Sequence, residues 1–284
     1  MKKVISKKID KTLSGRKIEY VLEKDIGLSR SLVAKLKRVD GAILLNGKSE
    51  KVVAKVKEGD VLTVSVFREG SGNVKGTEIP LDILFEDEDI LALNKPWGMP
   101  VHPSKNHITD TLANGIKYHL GDSGGVHIIT RLDRETSGVV LVAKNTLSAK
   151  ILTEQMKNGN IQKEYIAAVN GSIKSETGVI DAPIDRDTGI KRKVSGNGKT
   201  AVTEYEVIKN GKISTVRLFP KTGRTHQIRV HLSHIGHPIF GDSMYGAPQK
   251  GERCRLHCRK VVFIHPMTKK NVEIIAHLAD DMNF

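Results

Sequence analysis

The chain has 284 residues and a formal net charge of +14, an excess that favours a polyanionic partner, either nucleic acid or an anionic membrane surface. No apolar run approaches the roughly 20 residues that a membrane-spanning helix needs, and no apolar segment follows the basic start, so neither a membrane partner nor a secretory signal is expected. The two cysteines are too few for a disulfide framework, which favours a reducing cytoplasm.

The first predicted unit, residues 18–66, combines a basic helix with a β-hairpin. Leucines recur at helical spacing, at Leu28, Leu32 and Leu36. Basic side chains occupy the other faces of this helix: Arg30, Lys35, Lys37 and Arg38. Residues 43–45 and 61–66 then read as strands, with Asn46-Gly47 as a tight turn after the first of them.

This pattern of a Ser-Arg helix, then Leu-Asn-Gly-Lys and Gly-Asp-x-Leu, resembles the alpha-L RNA-binding domain of the fourth small-subunit ribosomal protein. The resemblance implies that the basic helix contacts RNA, although a merely solvated basic face is the open alternative. The polar, Gly-rich stretch that follows predicts a flexible linker. We therefore divide the chain into three parts: an alpha-L domain (1–68), a linker (69–77) and a second domain (78–284).

The second domain opens with a predicted strand followed by a loop stiffened by proline and glycine. The loop contains Lys95, Pro96, Gly98 and His102, and its restricted unfolded ensemble makes it inexpensive to order. A helix follows, with its apolar stripe at Leu112, Ile116 and Leu120.

The central segment places one carboxylate, Asp133, between Arg131 and Arg134, immediately before the apolar run 139–143. That run predicts a strand buried on both faces, and a strand of this kind would hold the preceding turn rigidly. The two guanidiniums would keep Asp133 ionised. Turn chemistry or a surface ion pair is the alternative reading of an Asp at this position.

The next elements are a helix, a strand and a hairpin. Asn145 or Thr146 can cap the helix, and Tyr165 lies in the strand predicted at 161–169. Residues 177–195, which include three consecutive basic residues, read as a loop. Alternation over 199–207 and 213–218 predicts a hairpin across Asn210-Gly211.

A dense basic stretch at 222–232 contains Arg224, His226 and Arg229 on a predicted helix with its own apolar stripe. Its histidines form no facing pair with a carboxylate, and the group Cys254, His257 and Cys258 lacks the spacing and the ligand number of a zinc site. We expect no metal.

Four separated segments resemble, in order, the motifs of the RluA-type pseudouridine synthases. The segments are Lys95-Pro96-x-Gly98 with His102-Pro103, Arg131-Leu132-Asp133-Arg134-Glu135-Thr136-Ser137-Gly138, Gly223-Arg224-Thr225-His226-Gln227-Ile228-Arg229, and Arg255-Leu256-His257-Cys258. Lys163-x-Tyr165 adds a fifth, shorter match. The family often has His where this chain has Thr130, and Cys258 replaces an alanine.

The resemblance implies an α+β fold with a mixed, largely antiparallel sheet flanked by helices and loops. It makes Asp133 the catalytic residue, Arg229 its ion-pair partner, and Tyr165 and Leu256 the groups that pack on the target base. Arg131 would support the site, and Lys95, Arg224 and His226 would contact RNA. The expected partner is ribosomal RNA in preference to transfer RNA, and the protein is expected to act as a monomer.

The implied reaction isomerises uridine without oxidation or a permanent leaving group, so no cofactor is expected. Asp133 could act as a nucleophile or as a base, and the sequence does not choose between these routes. Two other classes stay open: a non-catalytic RNA-binding or ribosome-assembly factor with the same fold, and a carboxylate glycosidase, which would need a second catalytic acid. The sequence does not identify the modified uridine.

Overall fold

The computed structural model describes residues 2–28, 30–67, 74–121, 125–246 and 252–282. The helices are α1 (Ile18–Tyr20), which continues as a π-helical turn (Val21–Asp25), α2 (Arg30–Leu36), α3 (Leu112–Leu120), α4 (Thr146–Lys157), α5 (Gln227–His234) and a final 3₁₀ turn (Asp280–Met282). No helix in these ranges is long and apolar enough to cross a bilayer.

The strands fall into a small N-terminal sheet, a large central sheet and a separate two-stranded ribbon. In chain order they are β1 (Lys2–Lys8), β2 (Ile43–Leu45), β3 (Lys48–Ser49), β4 (Val61–Phe67), β5 (Ile83–Glu86), β6 (Ile90–Lys95), β7 (His127–Ile128), β8 (Ser137–Ala143), β9 (Gln162–Asn170), β10 (Thr177–Asp181), β11 (Ile184–Arg186), β12 (Arg192–Val194), β13 (Val202–Lys209), β14 (Ile213–Pro220), β15 (Leu256–Ile264) and β16 (Asn271–Ile275).

The N-terminal unit packs α1 and α2 against the sheet β1-β4-β2-β3. Leu28, Leu32 and Leu36 are buried in its core, as their spacing predicts. The turn after β2 places Asn46 and Gly47 at φ 50° and 80°, the backbone of a tight hairpin turn. β1 was not predicted, because its two apolar residues lie between lysines that carry no strand signal.

The central sheet has the strand order β10-β13-β14-β9-β15-β8-β6-β5, with β16 added beside β15 and β7 beside β8. Among the described pairs only β15 and β8 run parallel, so the predicted mixed, largely antiparallel α+β fold is confirmed. All seven residues of β8 are buried, which confirms the prediction of a strand covered on both faces.

The parallel contact between β8 and β15 depends on Gly138, which faces Cys258 across the pair and has a φ of 112°. A Cβ atom here would lie 2.6 Å from the amide nitrogen of Cys258 and closer still to its carbonyl oxygen. Only glycine allows this backbone conformation and this approach. Gly138 therefore brings the turn before β8 next to the start of β15.

Helix α4 joins the two units. Asn145 caps it by accepting from the Ser148 amide at 2.9 Å, one of the two predicted caps. Leu147 in its first turn is buried in the N-terminal core, and the Lys150 ammonium donates to the Leu28 carbonyl at 2.7 Å. The N-terminal unit thus packs directly on the larger one.

Two predicted loop regions differ in the structure. Residues 177–195 contain β10, β11 and β12, so the prediction of a loop was wrong; these strands are too short to show alternation. The second region is the predicted linker, 69–77. Its residues 69–73 lie outside the described residues. Its last part is docked, because the Asn114 side chain donates to the Lys75 carbonyl at 2.7 Å and Thr77 N donates to Asn114 O at 3.1 Å.

We expect Gly138→Ala to lower the free energy of unfolding by about 2–5 kcal/mol, because overpacking costs roughly 1–3 kcal/mol and a left-handed backbone roughly 1–2 kcal/mol. Gly159→Ala is the matched control: its φ is 73° but no atom lies within 4 Å of the added Cβ, so it should lose only about 1–2 kcal/mol. Urea denaturation measures both. Equal losses would show that the close approach to Cys258 is not the constraint.

Candidate active site

The turn that carries Asp133 is fixed to the core on both sides. Leu132 is buried, and the Thr136 amide donates to the Asp133 carbonyl at 3.0 Å. The next carbonyl, that of Arg134, accepts from the Gly98 amide at 2.9 Å. The Asp133 side chain itself keeps 28% of its surface exposed. The backbone is thus held while the carboxylate remains accessible.

Lys95 holds this turn from below and does not reach solvent. Its side chain is fully buried, and its ammonium donates to the carbonyls of Pro96, Met99 and Arg134 at 2.8, 2.9 and 3.2 Å. Burial lowers the pKa of Lys95 to about 8, opposed by the charges of Asp133 and Glu135. The prediction that Lys95 contacts RNA is therefore wrong; it ties the loop after β6 to the Asp133 turn.

A cavity of about 1060 Å³ opens above Asp133. It brings together seven of the side chains predicted from sequence: Arg131, Asp133, Tyr165, Arg224, His226, Arg229 and Leu256. Six cations line it: Arg131, Lys157, Lys163, Lys221, Arg224 and Arg229. Among the described lining residues Asp133 is the one carboxylate. The cavity therefore suits an anionic ligand that presents one reacting group to Asp133.

Tyr165 and Leu256 form an apolar wall beside Asp133. Tyr165 lies on β9 and Leu256 opens the neighbouring strand β15, and their relative exposures are only 7% and 3%. Burial raises the pKa of Tyr165 well above its ordinary value, with smaller contributions from Cys258 and Asp133. The Tyr165 phenol thus stays protonated at neutral pH and offers a ring that a planar ligand can pack against.

Arg229 pairs with Asp242, which corrects its predicted pairing with Asp133. Its Nε and Nη2 donate to Oδ2 and Oδ1 of Asp242, both at 2.7 Å, and the amides of Met244 and Tyr245 complete the shell of Asp242. Burial raises the pKa of Asp242, but the bonds from Arg229 outweigh it and the net direction is downward. Both side chains stay charged, and Arg229 remains in the cavity wall.

The ion-pair contact that Asp133 makes within the described residues is with His226, at 4.0 Å from Nε2 to Oδ1. His226 Nδ1 lies 2.8 Å from the Tyr245 hydroxyl, which accepts from the Arg192 amide at 2.8 Å. We assign the hydroxyl proton to the bond with Nδ1, which makes Nδ1 the acceptor and places the hydrogen of the neutral ring on Nε2. Burial lowers the pKa of His226, against the opposing charge of Asp133. His226 thus presents an N–H towards Asp133.

The other predicted residues occupy the rim. Arg131 and Arg224 are exposed, and Arg224 Nε donates to the Thr200 carbonyl at 2.9 Å. Arg134 pairs with Glu135 at 2.9 Å, so neither guanidinium beside Asp133 in sequence forms an ion pair with it within the described chain. Thr130, which departs from the family pattern, accepts from the Leu141 amide at 2.8 Å and has a structural role.

The sequence pattern predicts no role for Lys163 or for a cluster of potential metal ligands. Lys163 lies two residues before Tyr165 on β9 and lines the same cavity; burial lowers its pKa. Period-two alternation along a strand would have placed it beside Tyr165.

Asp87, Asp89 and His265 also approach one another. The Asp87 and His265 atoms bond to each other and to backbone amides, as in a structural junction.

A basic cavity with one accessible carboxylate beside an apolar wall suits an anionic ligand that carries a planar group. Comparison with known sequences identifies the family. The model for RNA pseudouridylate synthase matches residues 89–234. The RNA pseudouridine synthase YjbO of Bacillus subtilis, named as uncharacterized, is 41% identical over 267 residues, covering 91% of this chain and 94% of that one.

Two further comparisons agree. The ribosomal large subunit pseudouridine synthase D of Zymomonas mobilis is 38% identical over 252 residues, covering 80% of this chain and 78% of that protein. The solved structure of the human RNA pseudouridylate synthase domain containing 1 aligns with a TM-score of 0.61 and 29% identity, covering 71% of this chain and 85% of the other. The chain belongs to the pseudouridine synthase family, which isomerises uridine in RNA.

The corrected pairing makes a stability prediction. Arg229→Ala and Asp242→Asn should each lower the free energy of unfolding by about 3–5 kcal/mol, because each leaves a buried charge without its partner. Asp133→Asn should change it by less than about 1 kcal/mol, because that carboxylate is partly solvated. Urea denaturation of the single and double variants measures the coupling. Strong coupling of Arg229 to Asp133, with none to Asp242, would contradict the pairing.

The Arg229–Asp242 pair also predicts how stability depends on pH. Because the folded-state pKa of Asp242 is lowered from its ordinary value of 3.8, its stabilisation is complete above that value and is lost as the pH falls through the folded pKa. The difference in unfolding free energy between the wild type and Asp242→Asn should therefore shrink on acidification below pH 3.8.

Proposed function

We propose that this protein converts selected uridines of a structured RNA to pseudouridine, with Asp133 as the catalytic residue. Ribosomal RNA is the favoured substrate, because relatives from Zymomonas mobilis and Escherichia coli carry names for modification of the large ribosomal subunit. The observation that carries the proposal is the cavity in which six cations surround a single carboxylate. Three of these cations, Arg131, Lys163 and Arg224, have no carboxylate partner within the described residues and would hold a polyanion beside Asp133.

The reaction breaks the bond between uracil N1 and ribose C1′, turns the base and joins C5 to C1′. The proton of C5 is lost and N1 gains one, so the product is an isomer and no cofactor is needed. Asp133 can attack C1′ as a nucleophile or remove a ribose proton as a base. Both roles need an ionised, accessible oxygen, which fits a side chain that is 28% exposed and is not one of a tight salt-bridged pair.

The remaining groups hold the reactants. Tyr165 and Leu256 would pack on the uracil and keep it in the site during its rotation, since both present apolar surface beside Asp133. The target uridine must leave its stack to enter the cavity, at a cost of a few kcal/mol that is smallest in a loop. Arg131 and Arg224 on the rim would bind the phosphates of the flipped nucleotide.

The N-terminal unit would bind a second part of the RNA through the basic helix α2. Arg30, Lys35, Lys37 and Arg38 are exposed, and they belong to or follow α2. Each phosphate contact would add affinity that depends on salt. The chemistry would remain in the larger unit, because all the groups described around Asp133 belong to it.

Asp133→Asn should abolish isomerisation while leaving RNA affinity within about threefold, because an amide is neither a nucleophile nor a base. Turnover is measured by release of tritium from RNA labelled at uridine C5. Glu135→Gln is the matched control: it makes the same chemical change two residues away, at a side chain paired with Arg134, and should keep turnover. Substantial tritium release by the Asp133 variant would exclude this residue as catalytic.

Absence of turnover in the wild type on all RNA from cells lacking the gene would instead support a non-catalytic RNA-binding factor. Pseudouridine mapping in those cells, compared with cells that carry the gene, would identify the substrate and the modified position.

A triple variant of the basic helix, Lys35→Gln, Lys37→Gln and Arg38→Gln, should weaken RNA binding and reduce the slope of log Kd against log salt by up to about 0.9 per lost phosphate contact. Turnover at saturating RNA should be unchanged. The control removes three exposed lysines elsewhere: Lys174, Lys209 and Lys212. If the control lost as much affinity and slope, the effect would reflect net charge alone and the assignment to α2 would fail.

A further inference from the structure

A second concave surface lies in the N-terminal unit, and it shares no lining residue with the cavity around Asp133. This groove has a volume of about 700 Å³, within the range of small-ligand sites. Its characteristic side chains are one aromatic ring and five cations: Tyr20, Arg16, Lys17, Lys24, Arg30 and Lys55.

The charges of the groove are unbalanced. Its two carboxylates each lie near a groove cation: Glu19 is 3.7 Å from Lys17 and Glu23 is 3.3 Å from Arg30. Within the described residues, the remaining three cations have no carboxylate partner: Arg16, Lys24 and Lys55. The groove therefore keeps a surplus of positive charge that can attract an anion.

Tyr20 adds an aromatic surface to this charge. The residue is 40% exposed, although a tyrosine gains by burying its ring. The guanidinium carbon of Arg16 lies 4.9 Å from the ring centroid, a cation–π distance. Aromatic rings and guanidinium planes are the two groups on which proteins stack unpaired nucleobases. The groove offers both, side by side.

The walls of the groove are fixed before any ligand binds. Backbone hydrogen bonds join the segment that carries Tyr20 to the segment that carries Lys55: Gly15 N to Val56 O at 2.8 Å, Ile18 N to Ala54 O at 2.8 Å and Glu19 N to Val52 O at 2.9 Å. The fold thus sets the spacing between the two backbone segments that carry the ring and Lys55, which lowers the entropic cost of binding.

We propose that this groove binds an unpaired nucleotide of the RNA, with its base stacked on Tyr20 and Arg16 and its flanking phosphates held by Lys24 and Lys55. The inference rests on the proposed function, in that it assigns the N-terminal unit an RNA ligand. It goes further by naming a site away from the basic helix residues Lys35 to Arg38 and by specifying a single-stranded ligand. A duplex, whose bases are stacked on one another, would not fill it.

The test uses the full-length protein and two RNA probes, an eight-nucleotide single strand and a fully paired duplex, with binding followed by fluorescence anisotropy. Tyr20→Ala should weaken single-strand binding by roughly 5- to 150-fold, the factor expected when one base loses its stacking partner, and should leave duplex binding within about twofold. Tyr20→Phe keeps the ring and should bind as the wild type does. Tyr118→Ala is the matched control, since Tyr118 is 54% exposed on α3 and lines neither cavity.

A pair of charge variants tests the phosphate contacts without touching the ring. Lys24→Gln combined with Lys55→Gln should reduce the salt slope for the single strand by roughly 1.4, about 0.7 for each contact. Photo-crosslinking supplies the location: a single strand containing 4-thiouridine should form an adduct on the tryptic peptide 18–24 of the wild type. The Tyr20→Ala protein should lose this adduct and the Tyr118→Ala protein should keep it.

Single-strand affinity of Tyr20→Ala within twofold of the wild type, or crosslinks that avoid peptide 18–24, would overturn the proposal. Equal losses in Tyr20→Ala and Tyr118→Ala would overturn it too. Turnover at saturating RNA separates this outcome from failure of the proposed function. If the wild type isomerises no uridine but Tyr20 still governs single-strand binding, the groove stands and the enzymatic assignment falls.

Discussion

The parallel contact of β8 with β15 is the constraint on which the site depends. It joins two segments more than a hundred residues apart in sequence, and Gly138 permits it by leaving room for the Cys258 backbone. Asp133 begins the turn that leads into β8, and Leu256 is the first residue of β15. Their proximity is therefore a consequence of strand register, and it does not require the two side chains to attract each other.

Charge in this site is divided between groups that hold the structure and a group left free to react. Lys95 and Arg229 are both buried, and each spends its donors on internal acceptors: three carbonyls for Lys95 and the Asp242 carboxylate for Arg229. Asp133 has no comparable shell and keeps its exposure. A carboxylate enclosed as Asp242 is would be stable but inaccessible, so the fold stabilises one acid and presents the other.

Sequence predicted the members of the site better than their contacts. Local patterns suffice for β8, for the Asn145 cap and for the hairpin turn at Asn46-Gly47, because each depends on neighbouring residues. The partner of Arg229 depends on tertiary structure, because Asp133 and Asp242 are both acids and sequence spacing does not rank them. The burial of Lys95 is not predictable from sequence for the same reason. The sequence around a lysine next to a proline-containing loop is the same whether its ammonium faces solvent or three carbonyls.

Helix α4 changes what the N-terminal unit can contribute. A flexibly tethered module would raise affinity through an effective concentration set by linker length. Here the first turn of α4 is packed into the N-terminal core through Leu147, while Met156 and Lys157 at its other end line the cavity above Asp133. One helix thus runs from the N-terminal unit to the cavity above Asp133. For an RNA that touches both, the gain in affinity would depend on how well its shape matches this spacing, so selection of the uridine would rest on RNA geometry more than on the sequence around it.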